Sequence, residues 1–220
     1  MEKRKIIFGT YDTAAQHWTL AGWTLSSPEQ QTNYIVIPGR KGGSLDLSTV
    51  LTEGEPVYNS RALSVNLETS EGGRISREFR INEMLNQLDG LQHHIVLPDD
   101  PDHYLVGRVH VSKQYNDLAH AKVIVTAVCE PWRYSKYERI IGLVATSTAK
   151  TTTLTNAGRL TVVPVVEVTG GSVSLGFGES TWTLSAGTYQ LPDLSLKPGE
   201  HTLTYSGSGS VGITYREAVL

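Results

Sequence analysis

Asp99-Asp100-Pro101-Asp102 is the densest run of carboxylates in the chain. Several carboxylate oxygens in one place are what a hard cation such as Ca²⁺ requires. The run lacks the glycine and the distal glutamate of a hand-type calcium loop. Pro98 and Pro101 fix φ within it, so it reads as a turn, Pro98 to Pro101, whose Asp side chains cap backbone donors. The histidines are scattered at His17, His93, His94, His103, His110, His120 and His201. His93 and His94 are adjacent on a presumed strand and would point to opposite faces. No Cys/His spacing is that of a zinc site, so neither metal nor cofactor is expected. Gly207-Ser208-Gly209-Ser210-Val211 matches a nucleophile elbow only in part. Its last glycine is replaced by Val211, and a strand follows where the elbow needs a helix. The chain has 22 acidic residues, and nothing selects two of them as an acid/base pair. No catalytic residue is assigned, and the chain reads as a non-enzyme.

Two other groups of side chains suit binding. Trp182, Tyr189 and Tyr205 can offer ring faces to a saccharide, or pack between two sheets as strand aromatics do. Gly39-Arg40-Lys41-Gly42-Gly43-Ser44 is a basic, Gly-rich loop. No helix with Lys-Ser/Thr follows it, so it is not a phosphate loop. Its exposure and composition make Arg40, Lys41, Ser44 and Asp46 the candidate contacts to a neighbour in an assembly. The single cysteine, Cys129, follows the apolar run Val123–Val128 and reads as a small buried hydrophobe.

The elements that carry these residues are mostly strands. Lys5–Phe8, His17–Leu25, Asn33–Ile37, Val57–Glu68, Leu91–Leu97, Tyr104–Tyr115 and Ala119–Val128 have strand patterns. One helix is expected at about 76–89, with Ser76 as N-cap, an apolar stripe of Ile81, Met84, Leu85 and Leu88, and Gly90 just past its end. Downstream, strands are expected at Ile140–Ala145, Arg159–Val168, Ser172–Phe177, Ser180–Leu184, Thr188–Leu191, Gly199–Ser206 and Ser210–Arg216. Short strands at this spacing predict a β-sandwich. Charge falls away after about Ile141, where only nine ionised side chains remain: Lys150, Arg159, Glu167, Glu179, Asp193, Lys197, Glu200, Arg216 and Glu217. The expectation is a mainly β chain of two domains, 1–137 with the helix and 138–220 as the sandwich.

The net charge of −3 comes without a basic stripe, which argues against specific nucleic-acid binding. The start, MEKRKIIFG, has too short an apolar run for a signal peptide. No window approaches the roughly 18 apolar residues of a membrane span. Folding in a cytoplasm, without membrane insertion, is expected.

The order of several short motifs resembles the distal tail protein family of long non-contractile-tailed phages. A strand ends at Ile37-Pro38-Gly39-Arg40, followed by a Gly-rich loop and Leu45-Asp46. A long strand with Tyr58 and Arg61 comes next. One amphipathic helix precedes Leu97-Pro98-Asp99-Asp100-Pro101 and Tyr104-Leu105-Val106-Gly107-Arg108-Val109. A returning strand closes at Pro131-Trp132-Arg133-Tyr134, and the chain ends near Ile213-Thr214-Tyr215-Arg216-Glu217. The resemblance implies an N-terminal ring-forming domain and a C-terminal sandwich like those of galectins and carbohydrate-binding modules. It implies a homo-hexameric hub that joins the tail tube protein to the tail-tip protein, with receptor-binding proteins or host glycan as further partners. The protein would act in the virion, at the tail tip, after assembly in the host cytoplasm. The alternative function is a carbohydrate-binding module that attaches to a host surface saccharide through Trp182, Tyr189 or Tyr205.

Overall fold

The computed structural model describes residues 4–39, 43–52 and 54–220. The chain is mainly β and divides into two compact units, Met1–Pro131 and Trp132–Leu220. The division falls inside one strand, Ala121–Ser135.

The first unit is built on one mixed-length antiparallel sheet. Its strands run, in spatial order, Tyr11–Asp12, Ile7–Phe8, Gln92–Leu97, Asp100–Asn116, Ala121–Ser135, Arg61–Thr69 and Thr19–Leu25. Strict alternation sets the core. Leu63, Val65 and Leu67 are buried opposite Ala127, Val125 and Val123, while the residues between them face outward. The helix Arg74–Leu88 lies against the strand Asp100–Asn116 and adds Ile81, Met84 and Leu88 to this core. Leu85 packs against it only in part.

The helix starts two residues before the expected position, and Ser76 is not its cap. Gly73 is the N-cap, in extended backbone and without a side-chain cap bond. Gly72, at φ +77°, makes the turn just before it, so the chain is already aimed along the helix at Arg74. Gly90 does follow the helix in the left-handed region, at φ +75°. A second correction concerns the acidic run. Only Pro98 and Asp99 form the turn. Asp100 already pairs with Leu97, so Asp100, Pro101 and Asp102 belong to the long strand.

The second unit is a sandwich of two four-stranded antiparallel sheets. One has the order Arg139–Val144, Ser210–Tyr215, Val165–Thr169, Gly187–Gln190. The other has Lys150–Asn156, Gly199–Gly207, Val173–Phe177, Ser180–Leu184. Leu154, Val166, Val173, Leu175, Leu203 and Ile213 are among the buried residues that fill the space between them. The strand Lys150–Asn156 is absent from the sequence expectation, because KTTTLTN has a single large apolar residue to mark a buried face. The strand expected from Arg159 begins only at Val165, directly after Pro164. A short pairing of Ala218 with Tyr134 and Val219 with Arg133 ties the end of the chain into this unit.

Candidate functional site

Several groups with reactive potential are engaged in structure, while the buried His93 Nε2 has no hydrogen-bond partner. Asp99 accepts a hydrogen bond from Arg4 at 2.9 Å, and Asp100 pairs with His103 at 2.7 Å. His110 lies 2.8 Å from Asp89, whose carboxylate also accepts the Val111 N–H. That backbone bond, against the opposing effect of burial, holds the Asp89 carboxyl below the usual range, with the His110 hydrogen bond helping. His94 stacks on Tyr104 with ring centroids 4.3 Å apart. His201 sits 2.7 Å from the Lys197 carbonyl. Cys129 is buried, and burial pushes its thiol up to about 11. Among the described residues no group of three or more His, Cys, Asp or Glu is placed to hold a metal. No helix among them is long and apolar enough to cross a membrane.

A shallow groove of about 490 Å³ lies on the outer face of the first unit's sheet, beside Leu25, Ala62, Arg108, His110, Thr126 and Val128. Its two basic side chains already have partners. Arg108 donates to the Gly90 carbonyl, and His110 is held by Asp89. Threonine, serine and aliphatic side chains supply the rest, which gives the groove no acid, base or nucleophile set.

The features that stand out are apolar and exposed. Tyr34–Val36 and Ser44–Asp46 form a two-stranded ribbon in which Tyr34 faces Asp46 and Val36 faces Ser44. Among the described residues this ribbon is largely uncovered: Tyr34, Ile35, Val36 and the following Ile37 are all exposed, and Leu45 is half-buried. The next turn, Val50–Thr52, projects Leu51 at 97% exposure. The base of the ribbon is tied by Leu47 N–H to Asn33 O and by Asn33 N–H to Ser48 Oγ. A bare two-stranded ribbon with apolar residues on both sides is marginal in water. Five large apolar side chains in the open mark a contact surface.

Of the candidate contacts named from sequence, Ser44 is exposed on the second strand of this ribbon. Asp46 accepts the Ser48 N–H at 2.9 Å, and hydrogen bonds from Ser48 hold its carboxyl below the usual range. Its first role is therefore local, fixing the end of the ribbon. Arg40 and Lys41 lie outside the described residues.

Further exposed apolar side chains occur at the start of the helix and on the neighbouring hairpin. Ile75 is 89% exposed, Phe79 is exposed one turn on along the same side of the helix, and Leu118 at the tip of the hairpin is 90% exposed. Arg77, on the opposite, buried side of the same turn, locks helix and hairpin together. Its guanidinium donates to the carbonyls of Gly72, Asp117 and Leu118 and to Asn116 Oδ1. Sequence reading followed the inward stripe of Ile81, Met84 and Leu88 and passed over Ile75 and Phe79. Their i, i+4 spacing off that stripe was the available signal. For the ribbon the signal was the unbroken run Tyr34-Ile35-Val36-Ile37, which lacks the alternation of a half-buried strand.

The aromatic candidates of the second unit are half-buried. Trp182 and Tyr205 flank Leu175 in one cross-strand row, and Tyr189 pairs with Val166 in the other sheet. All three pack against the sandwich core. The Tyr189 hydroxyl donates to Ser185 O at 3.0 Å.

No protein-family profile and no curated protein sequence matches this chain. The fold does have a counterpart among solved structures. The SPP1 Dit protein (gp 19.1), described as a paradigm of the hub adsorption apparatus in phages that infect Gram-positive bacteria, superposes with a TM-score of 0.69. The superposition covers 98% of this chain and 99% of that one at 14% sequence identity. The chain thus has the fold of a phage hub protein along nearly its whole length.

Proposed function

We propose that this protein is a structural component of a phage tail: a homo-hexameric hub at the distal end of a long non-contractile tail, joining the tail tube to the tail-tip adsorption apparatus. The observation that carries this reading is the pair of unlike apolar patches on the first unit. A ring needs one surface of each copy to meet a different surface of the next, with a rotation that closes. The ribbon of Tyr34–Val36 and Ser44–Asp46, with Leu51, is an exposed apolar element. Ile75 and Phe79, one turn apart on the exposed side of the helix start, are an apolar face on a regular element. Two such patches on one copy suit a heterologous contact and have no role in an isolated molecule. The likeness in fold to a hub protein supports the same reading. The count of six rests on the resemblance to distal tail proteins.

The role is scaffolding, without a chemical step. Tail tube and tail-tip proteins are the expected partners, in the virion. Mass photometry and negative-stain electron microscopy on the purified protein test it. Rings of six copies are the expected result, and Phe79→Asp or Leu51→Asp should dissolve them without changing the circular dichroism spectrum. A wild-type protein that stays monomeric at high concentration and in the presence of tail tube would overturn the proposal.

A further inference from the structure

The sandwich has four edge strands, and they are unlike one another. Lys150–Asn156, Ser180–Leu184 and Gly187–Gln190 are built mainly of threonine, serine, glycine and single polar or aromatic residues. The fourth, Arg139–Val144, reads RIIGLV and is almost wholly aliphatic. Ile140 is 74% and Val144 68% exposed on its outer face. Ile141 and Leu143, on the core side, are only partly buried. Natural edges are commonly blunted by lysine, proline, a bulge or a covering element. Residues 140–144 contain no proline or charge, and their pairing with residues 210–214 is unbroken by any bulge.

The backbone of this edge is open in a defined register. Ala145 N–H donates to Gly209 O at 2.9 Å, next to the Val144–Ser210 pair. In an antiparallel ladder, bonded pairs alternate. Residues 139, 141 and 143 therefore bond inward to 215, 213 and 211. Residues 140, 142 and 144 turn N–H and C=O away from the sheet.

These two facts make the edge complementary to itself. We infer that Arg139–Val144 pairs antiparallel with the same strand of a second copy, about a two-fold axis through Gly142, to join two sandwiches into one continuous sheet. In that register Ile140 faces the second copy's Val144, Ile141 faces its Leu143, and Gly142 faces Gly142. Every pair is then aliphatic with aliphatic or glycine with glycine, on a shared side of the sheet. The outward N–H and C=O groups of residues 140, 142 and 144 would bond reciprocally. Arg139 falls opposite Ala145, so no like charges meet. Glu217, 3.3 Å from Arg139, already balances that charge. A register shifted by one residue would set Arg139 against Val144 and Ile141 against Gly142, and would lose this matching.

The ladder is short, roughly 20 Å, and its area falls below the roughly 800 Å² per partner of a free-standing complex. The contact is therefore weak alone and strengthens when several copies are already held together. It is independent of the ring contact, which uses the first unit.

Sedimentation velocity over a wide concentration range tests it. The full chain should show its basal particle, monomer or ring, and a further concentration-dependent association step. Ile140→Lys with Val144→Lys places charges only on exposed positions. It should weaken that step at least tenfold and leave the basal particle and the circular dichroism spectrum intact. Thr181→Lys with Thr183→Lys, on another edge, should leave the step unchanged. Absence of any association beyond the basal particle would overturn the inference, as would an equal step in the Ile140/Val144 variant. A basal particle that is monomeric would count against the hexamer alone.

Discussion

Gly107 lies directly against the thiol of Cys129: a β-carbon placed on Gly107 would stand 2.7 Å from the Cys129 sulfur. The two belong to neighbouring strands of the first unit, and the absence of a side chain at one makes the space that the other fills. Gly107→Ala should therefore cost about 1–3 kcal/mol through overpacking, read as a lower urea midpoint. Adding Cys129→Ala should recover part of the loss, because the two positions share one space. Additive effects in the double variant would show that the contact is not what disfavours the methyl group.

Burial also sets an alkaline limit to stability. It pushes the Cys129 thiol from 9.0 up to about 11 and the Tyr11 phenol from 10.0 up to about 12. Tyr11 stays raised even though its oxygen accepts a hydrogen bond from Trp18 Nε1 at 3.1 Å. The folded state thus keeps protons that the unfolded chain releases at lower pH. The stabilisation is complete below about pH 9 and is lost as pH rises toward 12. Urea midpoints at pH 8, 9.5 and 11 should fall in that order, and Cys129→Ala should flatten the first part of the fall. The thiol should resist disulfide reagents at pH 8 until the protein is unfolded.

Arg77 is a buried cation held by three carbonyls and one amide oxygen. Replacing it with Ala leaves those acceptors without their donor, at a cost of about 2–4 kcal/mol. Lys should rescue little, because a single ammonium does not span the positions that the guanidinium fork reaches. Thermal unfolding measures both variants. A Lys variant with wild-type stability would show that only the charge matters.

Trp182→Ala removes a ring that packs on the sandwich core, so a loss of about 2–4 kcal/mol is expected, read in the unfolding of the second unit. Saccharide contact by Trp182, Tyr189 or Tyr205 would use whatever ring surface remains open. A glycan array run on the wild type and on Tyr205→Phe, which keeps the ring and removes the hydroxyl, separates the two roles. Binding that depends on the hydroxyl would give the sandwich an adhesive function beyond scaffolding.

Acid should loosen the tip of the hairpin that carries Leu118. The Asp117 carboxylate accepts the N–H groups of Ala119 and His120 at 2.8 and 2.7 Å, and these bonds hold its carboxyl below the usual range. The order they confer is present above the ordinary carboxylate range and is lost as pH falls through the lowered value. Amide exchange at Ala119 and His120 should accelerate relative to Val123 as pH falls. Asp117→Ala should show the faster exchange already at neutral pH.

Much of this architecture is legible in the chain itself. Alternation in Arg61–Thr69 and Ala121–Ser135, and the stripe Ile81, Met84 and Leu88, follow from local geometry: a period of two or of 3.6 residues puts like side chains on one face. The start of the helix at Arg74, the strand at Lys150–Asn156 and the resumption of pairing at Asp100 needed tertiary partners to be decided. So did the features that bear on assembly. Tyr34, Ile35, Phe79 and Ile140 are as apolar as Leu63 or Val125, and apolarity alone does not separate them. Burial belongs to what surrounds a side chain, and those surroundings come from strands far away along the chain. Only the folded chain shows that Leu63 is covered and that Phe79 and Ile140 are left exposed.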